Sequence, residues 1–532
     1  MKKIKKAVCI LLSLAIILPC FAINGFCKGD KNTISLGDTG FMDENSIIIF
    51  VTGIGQSWSY YFDSEYAKDG FFESGTLSDY ENWAPLIAEG KYSKRWNLFN
   101  DLSLAFENKD TKRFALKMAF SLIKSIFTRK CSITREDIDY LINELFQYNI
   151  PDESGKCSPQ VVTARYCCPV SEYPGIIKDG EFKSEAKNRF YRCIPCENIA
   201  RQRLGENFED YLYCFTYSPF SYISDNIESL HSFITECLAN NKVGAKDVVL
   251  VPMSMGATVV NSYLAKYPLK SENYVKRVVS IVGCWQGSQI ISDLLTQSWA
   301  DNSEDLFYND IWYRMLKDDP TVPAIVPGIV KFALKLFPKD VMKRIVKDAV
   351  GSLCDNLILK APSLCALVPG EDYEKIRQLY KTEKIKQECD FYQAAQSKLF
   401  ERFDDLKSEG IDFSFICGYG LSYGEVSKDY YMFGFMKSAN ASNGDEILEI
   451  STTAPGTVSA PAGKQITASE GMELSFDKSI DISNTFFKDS TWYFYRQKHE
   501  LEDNEKALTV AIELALGNIK SVNDSPDFPQ WN

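Results

Sequence analysis

One serine in the chain stands in a context suited to nucleophilic chemistry. The run Val251-Pro252-Met253-Ser254-Met255-Gly256 follows the apolar stretch 248–251 and precedes Ala257-Thr258-Val259-Val260-Asn261-Ser262-Tyr263-Leu264. That order reads as a strand, a sharp turn and a helix. A serine at such a turn holds its hydroxyl exposed at the C-terminal edge of a sheet. The helix behind it offers N–H groups and a positive dipole end to a developing oxyanion. The turn needs small residues two positions from the serine, and Gly256 meets this. Pro252 sits at a strand end, where a missing N–H is tolerable. A hydroxyl becomes a nucleophile at neutral pH only beside a base, most often histidine. The chain has only two, His231 and His499. In the chain order serine, acid, histidine, His231 comes too early, inside a helix expected over 226–239, and reads as a surface residue. His499 follows the aromatic run Thr491-Trp492-Tyr493-Phe494-Tyr495 and precedes the last helix, so it is the candidate base. The competing reading is a loop histidine on an inactive scaffold.

The acid should lie in a loop after the strand 413–418 or close by. Asp445 in Asn443-Gly444-Asp445-Glu446-Ile447 is the best site, with Glu446 its nearest rival and Asp481 and Asp489 weaker ones. Polar turns of this kind also recur as plain solvated turns. A second Gly-rich turn, Gly53-Ile54-Gly55-Gln56-Ser57, closes the first strand. By position, the N–H of Ile54 pairs with that of Met255 as an oxyanion hole. A phosphate-binding loop is a poor reading of this turn, since it lacks both a Lys-Ser/Thr sequel and the Gly-x-Gly-x-x-Gly spacing.

These loops need a sheet to bring them together. Short apolar, β-rich runs at 46–52, 211–217, 247–251, 276–283, 413–418 and 491–495 alternate with helical patterns at 225–239, 256–266 and 504–516. The alternation is that of an α/β fold with a mainly parallel central sheet. The core is then divided into 29–71, 206–299 and 406–532. Two long insertions interrupt it, a Cys-rich, partly helical one at 72–205 and a helical cap at 300–405. The first holds Cys131, Cys157, Cys167, Cys168, Cys193 and Cys196, for which local disulfides are the simple expectation. Cys193-Ile194-Pro195-Cys196 has metal-knuckle spacing, but Cys167 and Cys168 are adjacent and supply no second pair, so no metal site is expected. Two basic amphipathic runs stand out. Val341, Met342, Ile345, Val346, Ala349, Val350, Leu353, Cys354, Leu357 and Ile358 form one apolar stripe, opposite Lys343, Arg344 and Lys347. Phe114, Met118, Leu122 and Ile126 mark another within 112–130. Each stripe either packs on the core or belongs to a cap that meets a lipid surface.

The 532 residues carry a formal net charge of −12, with 45% hydrophobic and 24% charged residues. The balance is that of a globular protein, and the negative charge argues against a nucleic acid as partner. Lys2, Lys3, Lys5 and Lys6 followed by an apolar run over 7–23 read as an export signal within 1–28. Secretion or display at the cell surface is expected, the signal being cleaved or kept as an anchor.

With these residues in view, the chain resembles the α/β-hydrolases of the lipase and lecithin:cholesterol acyltransferase-like group. The resemblance rests on Phe50-Val51-Thr52-Gly53-Ile54-Gly55, on 212–220 with its helix, and on the Ser254 turn. It rests further on Gly283-Cys284-Trp285-Gln286-Gly287-Ser288 and on Asn443-Gly444-Asp445 with distal His499. Ala361-Pro362-Ser363-Leu364-Cys365-Ala366-Leu367-Val368-Pro369 looks like that group's cap motif, with Cys365 in place of an aromatic. Thr52 and Pro252 also depart from the pattern, and the insertion at 72–205 lies outside it. The resemblance implies an α/β-hydrolase fold, with Ser254 as nucleophile, Asp445 as acid and His499 as base. It implies action on acyl esters of small molecules or lipids, by hydrolysis or acyl transfer; no cofactor is expected, and the basic amphipathic runs leave peripheral membrane contact open. Two other readings stay open: a catalytically silent surface-binding protein on the same scaffold, and a thioesterase or peptidase using the same three residues.

Overall fold

The structure is a computed structural model that describes residues 46–57, 59–61, 86, 89, 94–96, 109–147, 161–178, 180–296, 338–422, 443–461, 463–500 and 504–532. The expected export signal at 1–28, Cys157 and the first part of the expected cap, 300–337, lie outside the described residues. Six strands form the central sheet: β1 (Ser46–Val51), β2 (Leu212–Phe215), β3 (Asp247–Pro252), β4 (Val275–Ile281), β5 (Asp412–Tyr419) and β6 (Thr491–Tyr495). They lie in the order β6-β5-β4-β3-β1-β2, and every neighbouring pair is parallel. Helices flank the sheet, so the α/β class and the parallel sheet expected above are present.

The principal helices are α1 (Lys109–Thr128), α2 (Arg135–Phe146), α3 (Glu185–Cys193), α4 (Glu197–Leu204), α5 (Ile223–Asn240), α6 (Gly256–Lys266), α7 (Gln289–Thr296), α8 (Lys339–Asn356), α9 (Glu383–Ser397) and α10 (Glu505–Leu516). A parallel sheet covered on both faces reads as near-continuous apolar runs, because both sets of alternating side chains are buried. In β1, Ile47, Ile49 and Val51 face one core with α5 and α6, and Ile48 and Phe50 face the other with α10. Each such side chain contributes about 1.5–3 kcal/mol by leaving water.

The order has a physical consequence. The chain passes from β1 to β2 on one side and then crosses to β3 on the other. The C-terminal ends of β1 and β3 are therefore neighbours from which the connections diverge, and such a switch point opens a crevice above the strand ends.

The described part of the Cys-rich insertion is not a separate layer. Tyr166, Tyr173, Phe190 and Ile199 belong to the same core as Phe50 and Trp492. Thr216 Oγ1 donates to the carbonyl of Ala164, and Arg203 of α4 is ion-paired with Glu513 of α10, both side chains nearly fully buried. The expectation of local disulfides fails for Cys131, Cys167 and Cys196, which carry free thiols. Packing separates two of them. Cys196 is buried at the start of α4, while the Cys167 thiol lies against Glu236 of α5.

The described part of the second expected insertion, 338–405, shares the core. Val341, Ile345, Ala349, Val350, Leu353, Cys354, Leu357 and Ile358 are all buried. This resolves one amphipathic run in favour of packing, since α8 lays its stripe against α2 and the core. The buried segment Pro362–Leu367 is tied to the body, with Asn226 Nδ2 donating to Ser363 Oγ at 3.1 Å and Ser363 Oγ donating to the Ser221 carbonyl at 2.5 Å. Among the described residues, no helix is long and apolar enough to cross a membrane.

Candidate active site

The turn after β3 is strained and firmly held. β3 runs in register with β1, placing Val51 beside Pro252. The ladder continues past the proline, with the Met253 N–H donating to the Val51 carbonyl at 3.0 Å and the Ser254 N–H to the Ile281 carbonyl at 3.2 Å. Ser254 itself adopts φ 50°, in the left-handed region that costs a residue with a Cβ about 1–2 kcal/mol. Its carbonyl accepts from the N–H groups of Ala257 at 3.1 Å and Cys284 at 2.9 Å. Only glycine fits two residues on. A Cβ at Gly256 would stand 2.4 Å from the Val51 carbonyl oxygen and 2.9 Å from that of Thr52. The start of α6 is thereby pressed against the end of β1.

His499 and Asp445 meet this turn from the other half of the sheet. β5 pairs with β6, Tyr419 beside Tyr495, and the Arg496 N–H donates to the Tyr419 carbonyl at 2.6 Å. This anchors the loop carrying His499. His499 Nε2 lies 2.8 Å from Ser254 Oγ, and Nδ1 lies 2.8 Å from Asp445 Oδ2. Asp445 is fully buried, and its Oδ1 accepts from the N–H groups of Ile447 at 3.0 Å and Leu448 at 2.7 Å. A carboxylate only accepts, so Nδ1 carries the imidazole proton and the lone pair of Nε2 faces the serine hydroxyl. Gly444 permits this turn, since a Cβ there would lie 1.9 Å from the Leu448 carbonyl oxygen. Asn443 pins the segment by accepting from the Gly420 N–H at 2.7 Å.

The rival residues are engaged elsewhere. Glu446 pairs with Lys498 at 3.6 Å, Asp481 accepts from the N–H groups of Glu473 and Ser483, and Asp489 is exposed. His231 is half-buried on α5 and stacks on Tyr267 with 4.2 Å between ring centroids. Buried thiols border the acid. Burial pushes Cys284 up to about 12 and raises Cys417 as well, and in both the negative charge of Asp445 adds to the shift. Both remain thiols at neutral pH, so neither places a second anion beside the imidazole.

The Gly-rich turn after β1 stands against the serine. A Cβ on Gly53 would come 3.0 Å from Ser254 Cβ. The Gly53 N–H donates to Gln56 Oε1 at 2.9 Å, and the Gln56 N–H donates to the Gly53 carbonyl at 3.2 Å. Among the described residues, the N–H groups of Ile54 and Met255 meet no acceptor. Two unsatisfied donors thus flank a hydroxyl that is hydrogen-bonded to an oriented imidazole. Such a group can transfer an acyl unit through a tetrahedral oxyanion. Gln56 was not singled out from sequence as a site residue. Its signal is local, a side chain long enough to reach back to the N–H three residues earlier in a Gly-rich turn.

Among the described residues, no group of three or more His, Cys, Asp or Glu side chains is placed to hold a metal ion. In comparisons with known proteins, no family model matches the chain and no curated protein matches it.

Proposed function

We propose that the protein is an exported serine hydrolase of the α/β-hydrolase fold that cleaves acyl esters. The observation that carries this reading is the relay from Ser254 Oγ through His499 to Asp445, with both links at 2.8 Å. The strained φ of Ser254 and the unsatisfied N–H groups of Ile54 and Met255 support it. As Ser254 Oγ attacks the ester carbonyl, His499 Nε2 takes its proton. Asp445 holds the imidazole in the required tautomer and stabilises the imidazolium. The N–H groups of Met255 and Ile54 take the oxyanion, each such donor being worth about 3 kcal/mol of barrier. The imidazolium then protonates the departing alcohol. Water, activated by the same base, releases the acyl group from Ser254; an alcohol in its place gives acyl transfer. Lipid esters are the substrate class to which the resemblance of the sequence points.

A fluorophosphonate probe tests the reading. It should label the parent protein and leave Ser254→Ala unlabelled, while His499→Ala lowers hydrolysis of short-chain nitrophenyl esters by several decades. Equal labelling of parent and Ser254→Ala, or undiminished turnover in His499→Ala, refutes it.

A further inference from the structure

Helix α1 has two faces, and among the described residues only one is accounted for by packing. Inward, Met118 joins the core, Thr111 Oγ1 donates to Glu144 Oε2 of α2 at 3.1 Å, and the Phe114 ring meets Tyr140 at 4.7 Å between centroids. Outward stand Arg113, Leu116, Lys117, Phe120 and Lys124, all exposed. At 100° per residue these five fall within about 100° of arc. Phe120 is 64% exposed and Leu116 is 42% exposed. Being four residues apart, they form one apolar ridge rather than two scattered contacts.

The charges around the ridge are cationic, save Asp110 in the first turn of α1. Among the described residues no acidic group pairs with Arg113, Lys117 or Lys124, nor with Arg129 and Lys130 just beyond the helix. Apart from the exposed Glu136 in its first turn, the acids of neighbouring α2 are occupied. Asp139 takes Arg135, Ser352 and Asn356, Asp137 caps its own helix, and Glu144 takes Thr111. An unpaired cationic stripe on a chain of net charge −12 is a local feature opposed to the overall field. Single exposed apolar residues need no explanation, but an apolar ridge between unpaired cations is the pattern of a helix lying in a headgroup layer. The α8 run, of equally basic sequence, buries the described residues of its apolar stripe, and among its described residues the exposed ones are Asp340, Arg344, Lys347 and Asp355, so the fold separates the two.

We propose that the outward face of α1 docks on an anionic lipid bilayer, with Phe120 and Leu116 entering the headgroup region and Arg113, Lys117 and Lys124 meeting lipid phosphates. The surface stands apart from the proposed chemistry, so Ser254→Ala protein serves for the measurement. Sedimentation with phosphatidylcholine vesicles, with and without phosphatidylglycerol, reads the partition. Each basic residue near an anionic surface is worth about fivefold, so Lys117→Gln with Lys124→Gln should lower binding to the phosphatidylglycerol vesicles about twentyfold. Leu116→Ser with Phe120→Ser should lower it about tenfold. Both pairs are exposed, so circular dichroism should show an unchanged fold. The full chain is used throughout, and binding through the rest of the chain, read from the variant carrying all four substitutions, is subtracted before the ratios are taken. Amide hydrogen exchange across 109–128 should slow on vesicles. Equal sedimentation of variants and parent overturns the proposal, as does unchanged exchange across α1. Capture of polyglutamate without capture of vesicles also overturns it, in favour of an acidic protein partner.

Discussion

Replacing Asp445 by asparagine tests the proposed chemistry with little disturbance of packing. The two carboxylate oxygens have distinct duties: Oδ1 accepts from the N–H groups of Ile447 and Leu448, and Oδ2 accepts from His499 Nδ1. An asparagine must choose. If its amide nitrogen replaced Oδ1, it would confront two backbone N–H groups and leave both unsatisfied, at about 1–3 kcal/mol each. The carbonyl therefore stays on the backbone side and the amide N–H₂ faces His499. Nδ1 must then accept, so the proton moves to Nε2, and the imidazole can no longer take the proton of Ser254. The wrong tautomer costs about 10⁴ in kcat, about 5.5 kcal/mol at 1.36 kcal/mol per decade. KM and thermal stability should change little, because every backbone hydrogen bond of the turn is kept. Steady-state hydrolysis of a nitrophenyl ester, with melting curves of both proteins, reads the two quantities. An Asp445→Asn enzyme within tenfold of the parent refutes the tautomer argument and the role of Asp445 with it.

Other positions give sharper tests of single contacts. Gln56→Ala removes the acceptor of the Gly53 N–H and loosens the turn carrying the Ile54 donor. Since losing such a donor outright costs about 10²–10³ in kcat, a drop of about tenfold to a hundredfold is expected, with KM nearly constant; a rise in KM alone would assign Gln56 to substrate binding instead. Gly256→Ala forces a Cβ onto the carbonyl oxygens of Val51 and Thr52 and should lower stability by about 1–3 kcal/mol, with activity falling further; urea midpoints unchanged from the parent would contradict the close packing of α6 on the end of β1. A pH-dependent test lies in the segment 373–390. Bidentate bonds from Arg377 at 2.7 and 2.8 Å, with the Tyr373 hydroxyl at 2.6 Å, lower the Asp390 carboxyl to about 2. A depressed acid contributes stability above the ordinary carboxylate value, about 3.9, and loses it as pH falls through about 2. The stability gap between the parent and Arg377→Met should be fully present at neutral pH and close across that window, and a gap that widens in acid would invert the assignment.

The strands were legible because a parallel sheet buried on both faces leaves continuous apolar runs. All six stretches expected as strands lie in the central sheet, with ends shifted by at most two residues. Their spatial order was not legible, since nothing local in Ser46–Val51 says that it lies between β2 and β3. His499 stood out through scarcity, the chain having one other histidine. Asp445 was harder, because sequence cannot separate it from Glu446. The difference lies in direction: Asp445 is folded back onto the N–H groups of Ile447 and Leu448, whereas Glu446, at φ 81°, turns away toward Lys498. Cysteine clustering was visible, but pairing depends on which surface each thiol packs against, and Cys167 and Cys196 pack against different elements.

The two basic amphipathic runs show where such reading runs out, and why. Periodicity reports that a helix has an apolar stripe, and it is silent on how many neighbours the helix has. α8 lies between α2, the core and the segment Ile358–Lys360, and the stripe residues described, all but Met342 and Val346, are buried. Among the described residues α1 packs chiefly on α2, and its residues Leu116 and Phe120 fall outside the stripe that the spacing of Phe114 and Met118 marks. An apolar residue off the stripe is invisible to a periodicity argument, which treats it as noise. In the folded chain it becomes the most informative residue on the helix. Burial among the described residues accounts for Met118 and leaves Phe120 facing water.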